Sequence, residues 1–113
     1  MPRDLSKGDI PALVLAVLAE TPSHGYAIAR NIELRSGKTF LMKEGTLYPS
    51  LRTLETEGLV TGEWEVQPSG PARKVYRITE NGRTELVRRQ SEWNQFAATM
   101  QAILGGKTDA QPA

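Results

Sequence analysis

The ten residues Ile10–Ala19, IPALVLAVLA, constrain this chain more than any other stretch. They would make a helix apolar on nearly every side, and such a helix is buried all round. The run is the longest of its kind in the chain, yet it falls short of the roughly 18 residues that a membrane span needs. It therefore reads as a central core helix, with one side able to face a partner chain. Asp9 is placed to cap it, Pro11 is tolerated in its first turn, and Thr21-Pro22 stops it. A chain of 113 residues has room for one modest core, so the remaining elements must be arranged around this helix as one domain.

Several function classes drop out at once. With no cysteine there is no disulfide and no thiolate chemistry, which suits a reducing cytoplasm. Met1–Asp9 carries charges of both signs and no apolar stretch, unlike a secretory signal. A single histidine, His24, argues against a metal site, and nothing implies a cofactor. There is no Gly-rich phosphate loop, and Glu63 and Glu65 alternate along a strand without a pocket partner, so no catalytic set is present. The net charge of +1 hides an uneven distribution. Arg30, Arg35, Lys38, Lys43 and Arg52 outweigh Glu33 and Glu44 over residues 30–52. Arg73, Lys74, Arg77, Arg83, Arg88 and Arg89 outweigh Glu80 and Glu85 over residues 73–89. Two basic zones result.

The spacing predicts a second helix over 24–36, capped by Ser23 and ended by Gly37, with Tyr26, Ile28, Ala29 and Ile32 inward and Arg30, Glu33 and Arg35 facing water. Thr39–Met42 reads as extended. A third helix starts at Thr46 as cap, with Pro49 in its first turn and Leu47, Leu51 and Leu54 as its apolar stripe. Gly58 ends it, and Leu59 falls where a Schellman cap wants contact back to Leu54. Strands are predicted over 59–66 and 73–78, joined by the turn-rich Gln67–Ala72. Thr79 caps a last helix to about Leu104, on which Leu86, Trp93 and Met100 repeat every seven residues, with Phe96, Ala97, Ile103 and Leu104 between them.

The order helix, helix, helix, strand, loop, strand is that of a winged helix-turn-helix, mostly α with a small β-hairpin. The expected division is a winged domain over 1–78, a dimerisation helix over 79–105 and a disordered tail over 106–113. The third helix would enter a DNA major groove, offering Lys43, Gly45, Thr46, Tyr48, Pro49, Ser50 and Arg52, while its leucines point away. Arg73 and Lys74 at the hairpin tip, and more weakly Lys38, His24 and Tyr26, are candidates for phosphate contact. Leu86, Met100, Ile103 and Leu104 belong to a seam that one small domain cannot cover, and a twofold-related copy is the economical cover.

Three runs carry a family resemblance. They are Leu13–Leu18 followed by His24-Gly25-Tyr26-Ala27-Ile28, then Glu44-Gly45-Thr46-Leu47-Tyr48-Pro49 with Leu54-Glu55-Thr56-Glu57-Gly58-Leu59, then Gly70–Gly82 with its Arg73-Lys74-Val75-Tyr76. Over about residues 9–104 the chain resembles the PadR family of bacterial transcriptional regulators. The resemblance implies a homodimeric repressor that binds double-stranded DNA at an imperfect palindrome, is released by a small hydrophobic or aromatic effector, and often controls its own or a neighbouring gene. The single C-terminal helix resembles the short subfamily with multidrug-sensing members. There a tryptophan lines a pore between subunits, a position that Trp93 matches, with Leu15 and Ala12 matching pore positions on the first helix. Gln90 and Ala97 lie about one turn from Trp93, and Phe96 beside them, without clear counterparts. The competing reading is a winged-helix protein-interaction module without DNA binding, and behind it a regulator that binds effector alone.

Overall fold

The computed structural model describes residues 8–106; the expected disordered tail lies almost wholly outside them. Four helices, α1 (Asp9–Glu20), α2 (Gly25–Arg35), α3 (Glu44–Thr56) and α4 (Glu80–Leu104), surround three strands, β1 (Ser23–His24), β2 (Val60–Glu65) and β3 (Arg73–Ile78). The architecture is mostly helical with a small antiparallel sheet. β3 is central, pairing with β2 from Val60↔Ile78 to Glu65↔Arg73 and with β1 at Ser23↔Tyr76 and His24↔Val75. β1 is unexpected from sequence: two residues beside Pro22 carry no period, and only β3 gives them a ladder.

α1 is the core helix, but not buried all round. Ile10, Val14, Leu15, Val17 and Leu18 join Ile28, Ile32, Leu47, Leu51, Leu54 and Val60 in one interior, while Ala12, Leu13 and Ala16 remain half-buried on the other side. Asp9 is the first helical residue rather than the cap, which is Gly8. α2 is capped by His24 and not by Ser23: the Ala27 N–H donates to His24 Nδ1 at 3.3 Å. Tyr26, expected inward, points to solvent at 70% exposure. Glu33, expected outward, folds back and accepts the Met42 N–H at 3.2 Å, while Ser36 Oγ accepts the Phe40 N–H at 3.0 Å. These bonds hold residues 39–42, expected as a short extended stretch, against the end of α2, with a bend at 39–40 and neither helix nor strand at 41–42.

α3 begins two residues before Thr46, with Lys43 at its cap position, so Pro49 lies in the second turn and withholds an N–H from the Gly45 carbonyl. Its far end follows expectation: Gly58 is left-handed at φ +76°, Leu59 N–H donates to the Leu54 carbonyl at 2.9 Å and Gly58 N–H to the Glu55 carbonyl at 3.1 Å. That turn is the seat of α4. Thr79 Oγ1 accepts the Gly82 N–H at 3.0 Å as the cap of α4 and donates to the Gly58 carbonyl at 2.7 Å.

An ion-pair cluster then ties α4 to the start of α1. Arg89 donates to Glu85 at 2.6 Å and to the Gly8 carbonyl at 3.3 Å, and Arg88 donates to Glu85 at 2.6 Å. The Arg88 hydrogen bond and then that of Arg89 hold the Glu85 carboxyl down at about 2, against an ordinary 4.5. A lowered folded-state value adds stability that is complete above the unfolded value and is lost as pH falls through the folded one. Glu85→Gln is therefore expected to lower Tm by about 2–4 °C at neutral pH, since partly exposed pairs contribute little. Thermal melts should show that gap closing as pH falls from about 4.5 to 2.

Candidate nucleic-acid interface

The start of α2, the first half of α3 and the loop-side half of the wing hairpin meet on one side of the molecule. His24, Tyr26, Tyr48, Trp64, Arg73, Lys74 and Tyr76 border a single cleft of about 500 Å³ there. The meeting depends on Gly25. Its backbone lies against the Tyr48 ring so closely that a Cβ at this position would stand 2.7 Å from two ring carbons. A side chain on residue 25 would displace the Tyr48 ring from α2, so the glycine lets that ring lie against the start of the helix.

No side chain caps α3. The Thr46 and Leu47 N–H groups donate to the Lys43 carbonyl, which leaves the first two N–H groups at an end that favours an anion, with Glu44 already in that turn. Lys43, Gly45, Thr46, Tyr48, Pro49 and Arg52 are exposed along this half of the helix, and Leu47, Leu51 and Leu54 are buried beneath them. Ser50 departs from expectation: its Oγ is buried with no hydrogen-bond partner among the described residues, so it faces the helix interior side and not an open groove surface. Lys38 is exposed on the α2–α3 turn with φ +64°.

The two wing cations, expected to act alike, differ. Lys74 Nζ pairs with Glu55 Oε1 at 3.0 Å and lies 5.5 Å from the Tyr76 ring centroid and 5.9 Å from that of Trp64. Its stem crosses Gly62, where any side chain would collide with it. Lys74 is thus a clamp between wing and α3, with its charge already met. Burial pushes the Tyr76 phenol above its ordinary value, opposed by Lys74, so the ring wall it forms stays neutral. Arg73 is exposed, and its Nη1 stands 3.1 Å from His24 Nε2. A neutral imidazole accepts at one nitrogen only. The α2 cap and the Arg73 contact therefore compete for the one accepting nitrogen of His24. Among the described residues Arg73 forms no ion pair, so of these two cations it is the one open to an anion.

A second cleft, of about 1000 Å³, lies between α1 and α4. Ala12, Leu13, Ala16, Phe40, Gln90, Trp93 and Phe96 border it, with Leu86 at its base. Trp93 and Phe96 pack on each other at 5.6 Å between centroids. Leu15 is not among its walls; it is fully buried in the core, and Leu13 and Ala16 take the place expected for it. Ala97 is half-buried and outside the lining. Helical spacing alone would have found Ala16 four residues from Ala12. Further along α4, Met100, Ile103 and Leu104 are exposed at 38%, 71% and 74%. No helix among the described residues is long and apolar enough to cross a membrane.

Known proteins share this fold. A crystal structure from Streptococcus mutans superposes with a TM-score of 0.81 at 32% identity, covering 98% of this chain and all of that one. A PadR family transcription regulator from Clostridium difficile superposes at 0.74 with 31% identity, over 84% of this chain and 97% of its own. A transcriptional regulator of Mycobacterium tuberculosis is 31% identical over 106 residues, which are 94% of this chain and 92% of that protein. The latter two are named as transcription regulators, not as enzymes. Residues 14–88 match the Transcriptional regulator PadR-like family, and the chain belongs to that family of transcriptional regulators.

Proposed function

We propose that this chain is a homodimeric repressor, acting in the bacterial cytoplasm, that reads an imperfect palindrome with α3 and is released by a hydrophobic or aromatic effector in the α1–α4 cleft. The observation that carries the reading is that Tyr48 of α3 and the exposed Arg73 of the wing border one cleft, on a helix whose polar face is exposed and whose start no side chain caps. A duplex major groove about 12 Å wide takes one helix, and phosphates flank it on either side. α3 presents polar and small groups to bases, and Arg73 meets backbone. The bare apolar face of α4 takes a twofold copy, which sets the two α3 helices about one helical turn, 34–36 Å, apart. An effector between Trp93 and α1 shifts the population of dimer geometries and so that spacing.

The test is binding of purified protein to a labelled fragment of its own upstream region, with salt titrated. Affinity is expected to fall log-linearly with salt. Arg73→Ala is expected to lower the slope by about 0.9 per protomer, the release of one counterion for each lost phosphate contact. Lys74→Ala is expected to change thermal stability more than the slope, because its charge is spent on Glu55. A protein that retains a protein partner and binds this fragment, and genome-wide fragments, no better than random DNA would sink the reading in favour of an interaction module.

A further inference from the structure

Asn81-Gly82 is a reactive pair that the function proposed above leaves unused. Of the three asparagines, Asn31 precedes isoleucine and Asn94 precedes glutamine; Asn81 alone precedes glycine. A following residue without a side chain leaves its amide nitrogen open to approach and its backbone free to turn. In an open chain the Gly82 nitrogen attacks Asn81 Cγ. The N–Cγ bond forms, the Cγ–Nδ2 bond breaks, and ammonia leaves with the proton that the Gly82 amide gives up. Water then opens the succinimide at either carbonyl, giving aspartate or isoaspartate.

Three features at the seat of α4 oppose that attack. The Gly82 N–H donates to Thr79 Oγ1 at 3.0 Å, which holds the proton that must leave. Asn81 is exposed, but it lies in the first turn of a helix, whose backbone angles keep its Cγ away from the next nitrogen. Gly82 is buried against the Leu59 carbonyl, where a Cβ would collide, so its peptide cannot turn in place. Ring closure therefore requires the first turn of α4 to lift. That motion breaks the Thr79 cap and the bond from the Arg83 N–H to the Thr79 carbonyl.

We propose that Asn81-Gly82 is a deamidation site gated by the seat of α4, closed while the helix is docked and reacting irreversibly when its first turn lifts. In the isoaspartate product the main chain runs through Cβ and Cγ, which adds one backbone atom between residue 81 and Gly82. The Thr79 cap cannot close over that extra atom with Gly82 still against Leu59, so the turn does not reseat. The aspartate product adds only a negative charge near a helix start, where such a charge is favoured. Isoaspartate thus loosens the winged domain's hold on the helix that carries the exposed Trp93–Phe96 face.

The experiment incubates the full chain at mildly alkaline pH and follows residue 81 by peptide mass mapping, in which isoaspartate elutes apart from aspartate. The urea-denatured chain is expected to convert at Asn81 at least about tenfold faster than the native one. Under native conditions Thr79→Ala is expected to react about fivefold faster than wild type, the factor that matches the loss of one helix cap. Thr79→Ser keeps the hydroxyl and is expected to react at the wild-type rate. Where Thr79→Ala does not fold, wild type in sub-denaturing urea supplies the same test: conversion is expected to rise in step with hydrogen exchange of the Gly82 amide. Conversion as fast in the native as in the denatured chain, or unchanged by Thr79→Ala in protein that circular dichroism shows folded, overturns the gate. So does conversion that stays constant while Gly82 exchange rises. A denatured chain that converts at Asn31 or Asn94 as fast as at Asn81 overturns the site. Purified isoaspartate protein is expected to melt below wild type, and equal melting overturns the irreversible loss of the seat.

Discussion

Gly82→Ala is expected to remove about 3 kcal/mol of stability and to lower Tm by more than about 10 °C, a large loss for one methyl group. A Cβ on residue 82 would stand 2.7 Å from Ile78 Cγ1 and 3.1 Å from the Leu59 carbonyl carbon, and closer still to the Leu59 oxygen. Neither neighbour is free to retreat. The Leu59 oxygen accepts the Thr79 N–H at 3.1 Å, and the Leu59 N–H closes the Schellman turn on Leu54. Ile78 is paired across the ladder with Val60, which is buried at 1% exposure. Relief would come only by lifting the first turn of α4 off the end of α3, which breaks the Thr79 cap and its bond to Gly58. Gly82 has ordinary helical φ, so the cost comes from close approach and not from backbone strain. Circular dichroism melts of the variant beside Asn81→Ala, one residue away on exposed surface, would check this. Equal melting of the two would mean that α4 is not seated as described.

Residues 79–82 also show how much of this fold was legible in the chain. The Thr79 cap, the Gly58 turn and the Leu47, Leu51 and Leu54 stripe depend on neighbours within a few positions, and local chemistry fixes them. β1 was not legible, because a two-residue strand exists only where a distant β3 supplies its partner. The start of α3 was misjudged because Lys43 takes a cap position without offering a side-chain acceptor, while Thr46 looked the better cap. The interface residues of α3 were readable as the polar face opposite its leucines. The division of labour between Arg73 and Lys74 was not, since Glu55 meets Lys74 from 19 positions away. Leu15 failed for a related reason. In an apolar helix with a weak period, residues next to one another in sequence sort to the core or the cleft according to what packs on each side.

For the dimeric repressor proposed above, Phe96→Asp is expected to give a folded monomer and to weaken operator binding by about a hundredfold or more at fixed protein concentration. Trp93, Phe96, Ile103 and Leu104 expose between 55% and 74% of their surface on α4. Apolar area of this kind gives back its hydration cost when a second copy covers it, at about 25 cal/mol per Å². A carboxylate on the covered face must be stripped of water, a penalty of several kcal/mol counted once per protomer. Each kilocalorie acts twice in a symmetric interface, so about 3 kcal/mol in total raises the dimer dissociation constant by more than a hundredfold. The fold itself is expected to survive, because Phe96 is 55% exposed in the single chain and adds little to the interior. That separates this variant from Gly82→Ala, which strikes the seat of α4 and not its open face. Sedimentation velocity reads the oligomer, circular dichroism reads the fold and a gel shift reads the DNA. A folded monomer that still binds its operator tightly would show that the two half-sites do not depend on α4. A surviving dimer would place the interface elsewhere, and the Trp93–Phe96 face would then need another occupant.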